Sequence, residues 1–400
     1  MTTEQKDLIK ETVPVLRSNG IDLTKHFYNR MFTHNPELKN TFNMSNQASG
    51  KQQNALAMAV LAYAEHIENP AVLINALKAI GNKHVSLNIT AEQYDIVGLH
   101  LINSIKEVLG EAATDELIEA WFIAYTNLAQ IMISIEQEMY ETNEKSIGGW
   151  KGWRTFTISE IKEESDEIKS FYLKATDKKE IINYLPGQFI TIKTFIPELG
   201  YEQPRQYSLS TSYNSDFYRI SVKKELASKI TPKGLVSNHM HNKKTGDEIF
   251  VSAPAGIFYT NLEDKKPMVL IGGGVGVTPL MSMLQTNSEQ NNPNQTIWMQ
   301  ACRNENVHPF KDEIANLEKD NQWLKTFFFH EQKNKDNHEI IEGRIDVNNY
   351  ASEILIEDAK YYICGPEIFI KTQYISLIEL GISPDAIFYE EFGPSLISLN

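Results

Sequence analysis

The hydrophobic period changes twice along this chain, and the changes divide it into three units that must fold by different rules. Up to about residue 147, apolar residues recur at three- and four-residue spacing, as in Leu56, Val60, Tyr63 and Ile67 and again in Trp121, Tyr125 and Leu128. That spacing puts them on one helix face. Gly20, Pro36, Gly50, Pro70, Gly81 and Gly110 mark ends or turns, and Pro14 either kinks the first helix or sits where its lost hydrogen bond is tolerated. The helical pattern stops at a glycine-rich joint, Gly148-Gly149-Trp150-Lys151-Gly152-Trp153.

Beyond the joint, short alternating stretches predict strands at Phe156–Ile158, Ile168–Leu173, Phe189–Ile192, Tyr218–Val222 and Ile249–Val251. Turn residues such as Pro186-Gly187 and Gly246-Asp247 separate them, so a small antiparallel barrel is expected, interrupted by one helix starting near Gly234. A third pattern begins near Lys265-Lys266-Pro267. Met268–Ile271, Thr296–Gln300 and Tyr361–Cys364 are continuously apolar, as buried parallel strands are, with helical stretches such as Pro279–Leu284 and Lys311–Lys319 between them. The expected architecture is all-α over 1–147, an antiparallel barrel over 150–263 and an open parallel α/β sheet over 265–400.

The 400 residues exceed one ordinary core, and 42% hydrophobic with 22% charged residues supplies material for several. A formal charge of −14 argues against nucleic acid or an anionic membrane surface as partner. No apolar run approaches the roughly 20 residues needed to span a bilayer. The start lacks a secretory pattern, and two cysteines, Cys302 and Cys364, make no disulfide framework. The expectation is a cytoplasmic protein, monomeric or dimeric.

Two segments carry phosphate chemistry. Gly272-Gly273-Gly274-Val275-Gly276-Val277-Thr278 leaves an apolar strand and opens a helix, where glycines admit a pyrophosphate to the backbone and the helix N-terminus stabilises its charge. Val277 stands where the third glycine of a G-x-G-x-x-G fingerprint belongs, so a plain strand-to-helix turn is the competing reading. In Arg205-Gln206-Tyr207-Ser208 the arginine suits a flavin phosphate, the tyrosine can stack on the ring and the serine can bond its edge. The alternative is an ordinary strand with a surface arginine. Gly234-Leu235-Val236-Ser237 offers a helix N-terminus for the flavin pyrophosphate, and Cys364-Gly365-Pro366 ends a strand where open α/β sheets place ligands. Cys364 alone reads equally as a buried structural thiol.

In their order and spacing these motifs resemble the ferredoxin–NADP reductase family, an FAD-binding barrel followed by a nicotinamide-binding domain. The resemblance assigns Arg205, Gln206, Tyr207, Ser208, Gly234, Val236 and Ser237 to FAD. It assigns Gly273, Gly274, Val275, Gly276, Val277, Thr278, Cys364 and Gly365 to NADH or NADPH. Phe392, Gly393 and Pro394 look like the tail that covers the flavin in that family. Phe189 occupies a position where relatives with an N-terminal globin place tyrosine, so it keeps the ring and loses the hydroxyl.

The helical unit resembles the globin module of flavohaemoglobins, on His26-Phe27-Tyr28, Phe42-Asn43-Met44, Gln52 with Leu56, Lys83-His84, Tyr94 and Glu136. The resemblance extends over the whole chain and implies haem b. His84, beyond the helical stretch Val72–Ile80, becomes the axial iron ligand, although a lone histidine there is ordinarily a solvated helix end. Phe42 becomes the wedge against the porphyrin. Gln52 and Leu56 share a helix face; with Tyr28 they would line the opposite side, two donors and one residue that restricts access. Tyr94 and Glu136 would polarise His84, with Glu136 chosen over the neighbouring Glu138 and Glu141 by the motif alone. Lys83 is either an electrostatic partner of the haem or a solvated lysine.

The resemblance implies a nitric oxide dioxygenase, in which NAD(P)H electrons pass through FAD to haem, and oxygen and nitric oxide give nitrate. Two alternatives are an oxygen-binding or oxygen-sensing globin whose reductase keeps iron ferrous, and a general NAD(P)H-dependent reductase. Arg303, after the strand Thr296–Gln300, could meet a 2′-phosphate; NADH is nonetheless the preferred donor.

Overall fold

The protein is described by a computed structural model over residues 1–227, 232–333 and 339–393. The first unit is helical: α1 (Thr3–Glu11), α2 (Val13–His34), α3 (Met44–Ala48), α4 (Lys51–Glu65), α5 (Ile74–Ser86), α6 (Ala91–Leu109) and α7 (Asp115–Lys145). A capping box starts α1, the Gln5 amide N–H donating to the Thr2 hydroxyl and the Thr2 amide N–H to the Gln5 side chain. Pro14 occupies the first turn of α2, where backbone N–H groups have no intrahelical acceptor, so the second of the two placements expected for it holds. The α2 helix packs on α4 and α6, and α5 on α7. Phe27, Met31, Ala64, Ile105, Ala120 and Trp121 form their shared core. Gly98 is required where α6 meets the Tyr125 ring: a Cβ there would stand 2.4 Å from it. By length and composition alone α7 could cross a bilayer. Here it lays Leu117, Trp121, Met132, Glu136 and Tyr140 into the helical unit.

The second unit is an antiparallel sheet: β1 (Arg154–Glu163), β2 (Ile168–Ala175), β3 (Phe189–Ile196), β4 (Tyr201–Ser208), β5 (Tyr218–Lys223) and β6 (Glu248–Val251), with α8 (Leu235–His241) before β6. The strand order is β4-β3-β6-β1-β2-β5, and a bridge between Leu209 and Ile220 brings the two edges together as a barrel. Apolar alternation misses β4, because its sequence Tyr-Glu-Gln-Pro-Arg-Gln-Tyr-Ser is polar and contains Pro204. The proline is tolerated because β4 is an edge strand pairing along its length only with β3.

The third unit alternates strand and helix: β7 (Met268–Gly273), α9 (Val277–Ser288), β8 (Thr296–Cys302), α10 (Lys311–Asp320), β9 (Leu324–His330), β10 (Ile340–Glu342), α11 (Ala351–Ile354), β11 (Lys360–Cys364), α12 (Glu367–Glu379) and β12 (Ile387–Glu390). All pairs are parallel, in the order β10-β9-β8-β7-β11-β12. The winding direction reverses between β7 and β11, which opens a crevice at their carboxyl ends, the place where such sheets take ligands. The glycine loop and Cys364-Gly365 flank that crevice. Helix α12 carries no one-sided apolar stripe, since Ile368 and Ile375 are exposed while Ile370 and Leu377 are fully buried.

Candidate functional site

Helices α5, α6 and α7 each contribute one group to a buried constellation. His84, near the end of α5, is held through Nδ1, which lies 2.7 Å from Glu136 Oε1 and 2.9 Å from the Tyr94 hydroxyl. Tyr94 donates to the same Glu136 oxygen at 2.5 Å. Glu136 is almost fully buried, while the His84 side chain keeps a third of its surface accessible. Burial and the adjacent carboxylate push the Tyr94 hydroxyl far above its ordinary range, so it stays protonated and donates. With Nδ1 engaged, His84 Nε2 has no hydrogen-bond partner among the described residues and is free to ligate a metal. The donor set suits haem iron: one imidazole, oriented by a carboxylate on its far nitrogen.

Across the helical core, Tyr28 is buried. Burial drives its hydroxyl well above the usual phenol range, with the neighbouring Gln52 and Gln47 side chains partly offsetting the shift. Gln47 Nε2 is buried without a partner. An orphaned donor beside a protonated phenol fits a site that receives a polar ligand. Phe42 packs edge-on against Tyr28 at 5.8 Å, and both Phe42 and Leu56 are half-buried against the globin core.

Strand β4 carries the flavin-clamp residues. Arg205 is half-buried; its guanidinium donates to the Pro204 carbonyl at 2.7 Å and to Ser45 Oγ at 3.0 Å, and no carboxylate among the described residues pairs with it. Burial pulls its pKa down to about 10, the signature of a cation lacking its anion. A phosphate would supply one. Tyr207 is half-buried on the barrel core, its hydroxyl pushed up to about 12 by burial. Ser208 is buried at the end of the strand. Gln206 turns its side chain away to the globin unit, where Nε2 donates to Ser86 Oγ at 2.9 Å. Phe189 is buried opposite Ser208, and a Cβ at Gly256 would touch its ring at 3.0 Å. At the start of α8, the Ser237 hydroxyl is folded back, accepting from the Glu225 amide and donating to the Gly234 carbonyl. Val236 is fully buried, so it can offer a ligand only its backbone.

In the crevice, Gly276 must be glycine because a Cβ would stand 2.3 Å from the Cys364 carbonyl oxygen. Gly273 lies against Phe369, and Gly274 has a left-handed φ of +57°. Val275 is half-exposed, Thr278 caps the turn by donating to the Val275 carbonyl at 3.0 Å, and Val277 and Cys364 pack the sheet core. Gly365 sits against Gly273, so the two loops meet. Lys83 reaches from α5 to the tail, where Nζ donates to the Gly393 carbonyl at 2.7 Å. Nearby Glu390, register partner of Cys364, has its carboxyl pushed up to about 7 by burial, partly offset by Lys83. Phe392 is exposed, and Pro394 lies outside the described residues. Arg303 forms an ion pair with Glu167 of the barrel.

Sequence reasoning missed the residues that join the units. Gln203 of β4 is fully buried; its side chain accepts from the Met44 amide at 3.1 Å and donates to the carbonyls of Lys39 at 2.9 Å and Phe42 at 3.3 Å. The Glu202 amide donates to Asn40 Oδ1, and the Gly256 amide to Asn82 Oδ1. One strand thus carries the flavin clamp and also grips the segment bearing Phe42. The available signal was a run of polar residues in a strand-length gap.

The globin family profile matches residues 25–132, the oxidoreductase FAD-binding domain profile 155–259 and the oxidoreductase NAD-binding domain profile 270–374. The flavohemoprotein of Rhizobium meliloti is 46% identical over the full length of both chains, and that of Bordetella pertussis 44% over 98% of each. Among solved structures, the flavohemoglobin from Malassezia yamatoensis, with FAD and haem bound, superposes with a TM-score of 0.85 at 27% identity, covering 98% of this chain and 99% of that one. The FAD/NAD-binding domain of the nitric oxide dioxygenase from Vibrio cholerae superposes with a TM-score of 0.55 at 35% identity, covering 60% of this chain and 99% of that one. The chain, a globin unit gripped by an FAD- and NAD-binding reductase unit, belongs to the flavohemoprotein family.

Proposed function

We propose that this protein is an NAD(P)H-dependent nitric oxide dioxygenase, acting in the cytoplasm on oxygen and nitric oxide, with units over 1–147, 150–263 and 265–400. The observation that carries the reading is the buried Glu136 carboxylate on His84 Nδ1 at 2.7 Å. A carboxylate on the proximal imidazole favours turnover over simple oxygen storage, because it supports the more oxidised metal. When bound, haem, FAD and the nicotinamide nucleotide supply oxygen binding and the conversion of two-electron donation into single-electron delivery.

The chain's residues do the positioning. His84 offers Nε2 to the iron, fixed by Glu136 and Tyr94. Phe42 wedges the porphyrin, Tyr28 and Gln52 present donors to the ligand, and Leu56 limits the space beside them. Arg205 neutralises a flavin phosphate, Tyr207 and Phe189 give aromatic surface, and Ser208 a hydroxyl. The starts of α8 and α9 offer backbone N–H groups to pyrophosphates. Arg303, the candidate 2′-phosphate partner noted in the sequence, pairs with Glu167 instead, which supports NADH as donor. Mixing the reduced, oxygen-equilibrated holoprotein with nitric oxide tests the reading: rapid, stoichiometric nitrate is expected, and persistence of the oxygenated absorption spectrum would rule it out.

The two faces of the haem site should respond to different substitutions. Tyr28→Phe removes one donor and little volume. A hydrogen bond worth roughly 0.5–1.5 kcal/mol, more to a charged acceptor, should make oxygen dissociate about threefold to more than tenfold faster. Glu136→Gln keeps the shape and removes the charge, so the haem midpoint potential should rise while oxygen dissociation changes little. An unchanged dissociation rate in the first, or an unchanged potential in the second, removes that residue from its role.

A further inference from the structure

Outside the haem, flavin and nucleotide sites, a second cluster of ligating side chains lies in the parallel sheet. Cys302 ends β8, His330 ends β9, and the two are register partners on adjacent strands. His308 follows the short turn Glu305–Val307 and folds back onto them, its ring edge-on to Phe328 at 4.9 Å. All three side chains are buried, with 8%, 1% and 4% of their surface accessible for Cys302, His330 and His308. One ligating atom from each lies within 4.8 Å of the other two.

We propose that Cys302, His308 and His330 form a binding site for a borderline-soft divalent cation of the Zn²⁺ class. The donor set is the first argument: one thiol and two imidazoles are the ligands such ions select, and hard ions such as Mg²⁺ avoid. Geometry is the second. Tetrahedral zinc, with Zn–N near 2.0–2.1 Å and Zn–S near 2.3 Å, needs nitrogens about 3.3 Å apart and sulfur about 3.6 Å from each. His330 Nε2 and His308 Nδ1 are 3.1 Å apart, with the rings nearly perpendicular at 86°. The thiol has at most about an ångström to travel, within reach of a side-chain rotation. It now donates to the Asn304 carbonyl at 3.3 Å.

The third argument is a prepared, water-poor frame, since all three side chains are buried. The frame is rigid as well: the Glu331 amide donates to the Cys302 carbonyl, and Gln300 Nε2 to the Pro309 carbonyl at 3.1 Å. On binding, the Cys302 S–H bond breaks, its proton goes to solvent and the sulfur–metal bond forms without redox change. With three protein donors, the fourth position falls to water. The site lies at the carboxyl end of the sheet, and Ala301, register partner of Gly273, immediately precedes Cys302. An ion there would fix the 302–308 segment beside the nucleotide loop.

The test uses the full-length holoprotein and Zn²⁺. Equilibrium dialysis should show one tight equivalent in the native chain whose affinity falls by about tenfold or more in Cys302→Ser and in His330→Gln, both retaining their flavin and haem absorption. X-ray absorption at the zinc edge, separate from haem iron, should show one sulfur near 2.3 Å with nitrogen or oxygen near 2.0–2.1 Å in the native chain. Equal affinity in native and variant proteins overturns the proposal. So does a zinc shell without sulfur in the native chain, a measurement that stands even if a variant fails to fold.

Discussion

Replacing His84 by glycine should abolish haem-dependent nitric oxide consumption while leaving NADH oxidation with an artificial electron acceptor at the native rate. His84 Nε2 is the nitrogen left without a partner once Nδ1 is held by Glu136 and Tyr94. Its loss removes the axial ligand and leaves Glu136 buried with Tyr94 as its remaining neighbour in the constellation. The barrel and the parallel sheet keep their own cores, so the reductase should stay folded. Free imidazole, filling the vacated space and ligating the iron, should restore part of the haem absorption and activity. That rescue separates ligation from a purely structural role. Full haem-dependent turnover in the glycine variant without imidazole would remove His84 from the iron.

Arg205→Ala should weaken FAD by roughly one to two orders of magnitude. Arg205 has no carboxylate partner among the described residues, and burial already pulls its pKa to about 10, so an anion is what its environment lacks. A charge-assisted hydrogen bond is worth about 1.5–3 kcal/mol, which converts to that loss of affinity. Arg205→Lys keeps the charge and loses the planar fork, and should fall between the two. The measurement is flavin fluorescence during titration of the apoprotein with FAD. Haem content should not change. Native FAD affinity in the alanine variant would return Arg205 to the competing reading, an ordinary surface arginine whose contact is Ser45.

The parts of this architecture governed by local periodicity were readable from the residues, and the parts governed by distant contacts were not. The apolar spacing in Leu56, Val60 and Tyr63 and the continuous runs in β7, β8 and β11 follow from burial on one face or two. Apolar alternation did not mark strand β4, whose stability comes from pairing with β3; a strand was only the alternative reading of its second half, Arg205–Ser208. Glu136 was told from Glu138 and Glu141 by the motif alone; in the structure Met132, Glu136 and Tyr140 recur every four residues on the buried stripe of α7, and the other two are exposed. Arg303 looked free for a nucleotide phosphate because Glu167, its partner, is 136 positions away. Gln203 and Ser86 acquire their importance only when the globin and reductase units meet. Gln206 illustrates both limits: its place in the flavin motif was plain, yet its side chain is turned to Ser86.

The most direct measurement of the central claim is the electron balance of turnover. Nitric oxide, oxygen and one electron make one nitrate, and NADH delivers two electrons, so each NADH should support removal of two nitric oxide molecules. The account predicts that ratio when nitric oxide loss, nitrate formation and NADH oxidation are followed together in air, with all three ceasing when haem is absent. NADH oxidation that continues at the same rate without nitric oxide, or nitric oxide loss without matching nitrate, would contradict it.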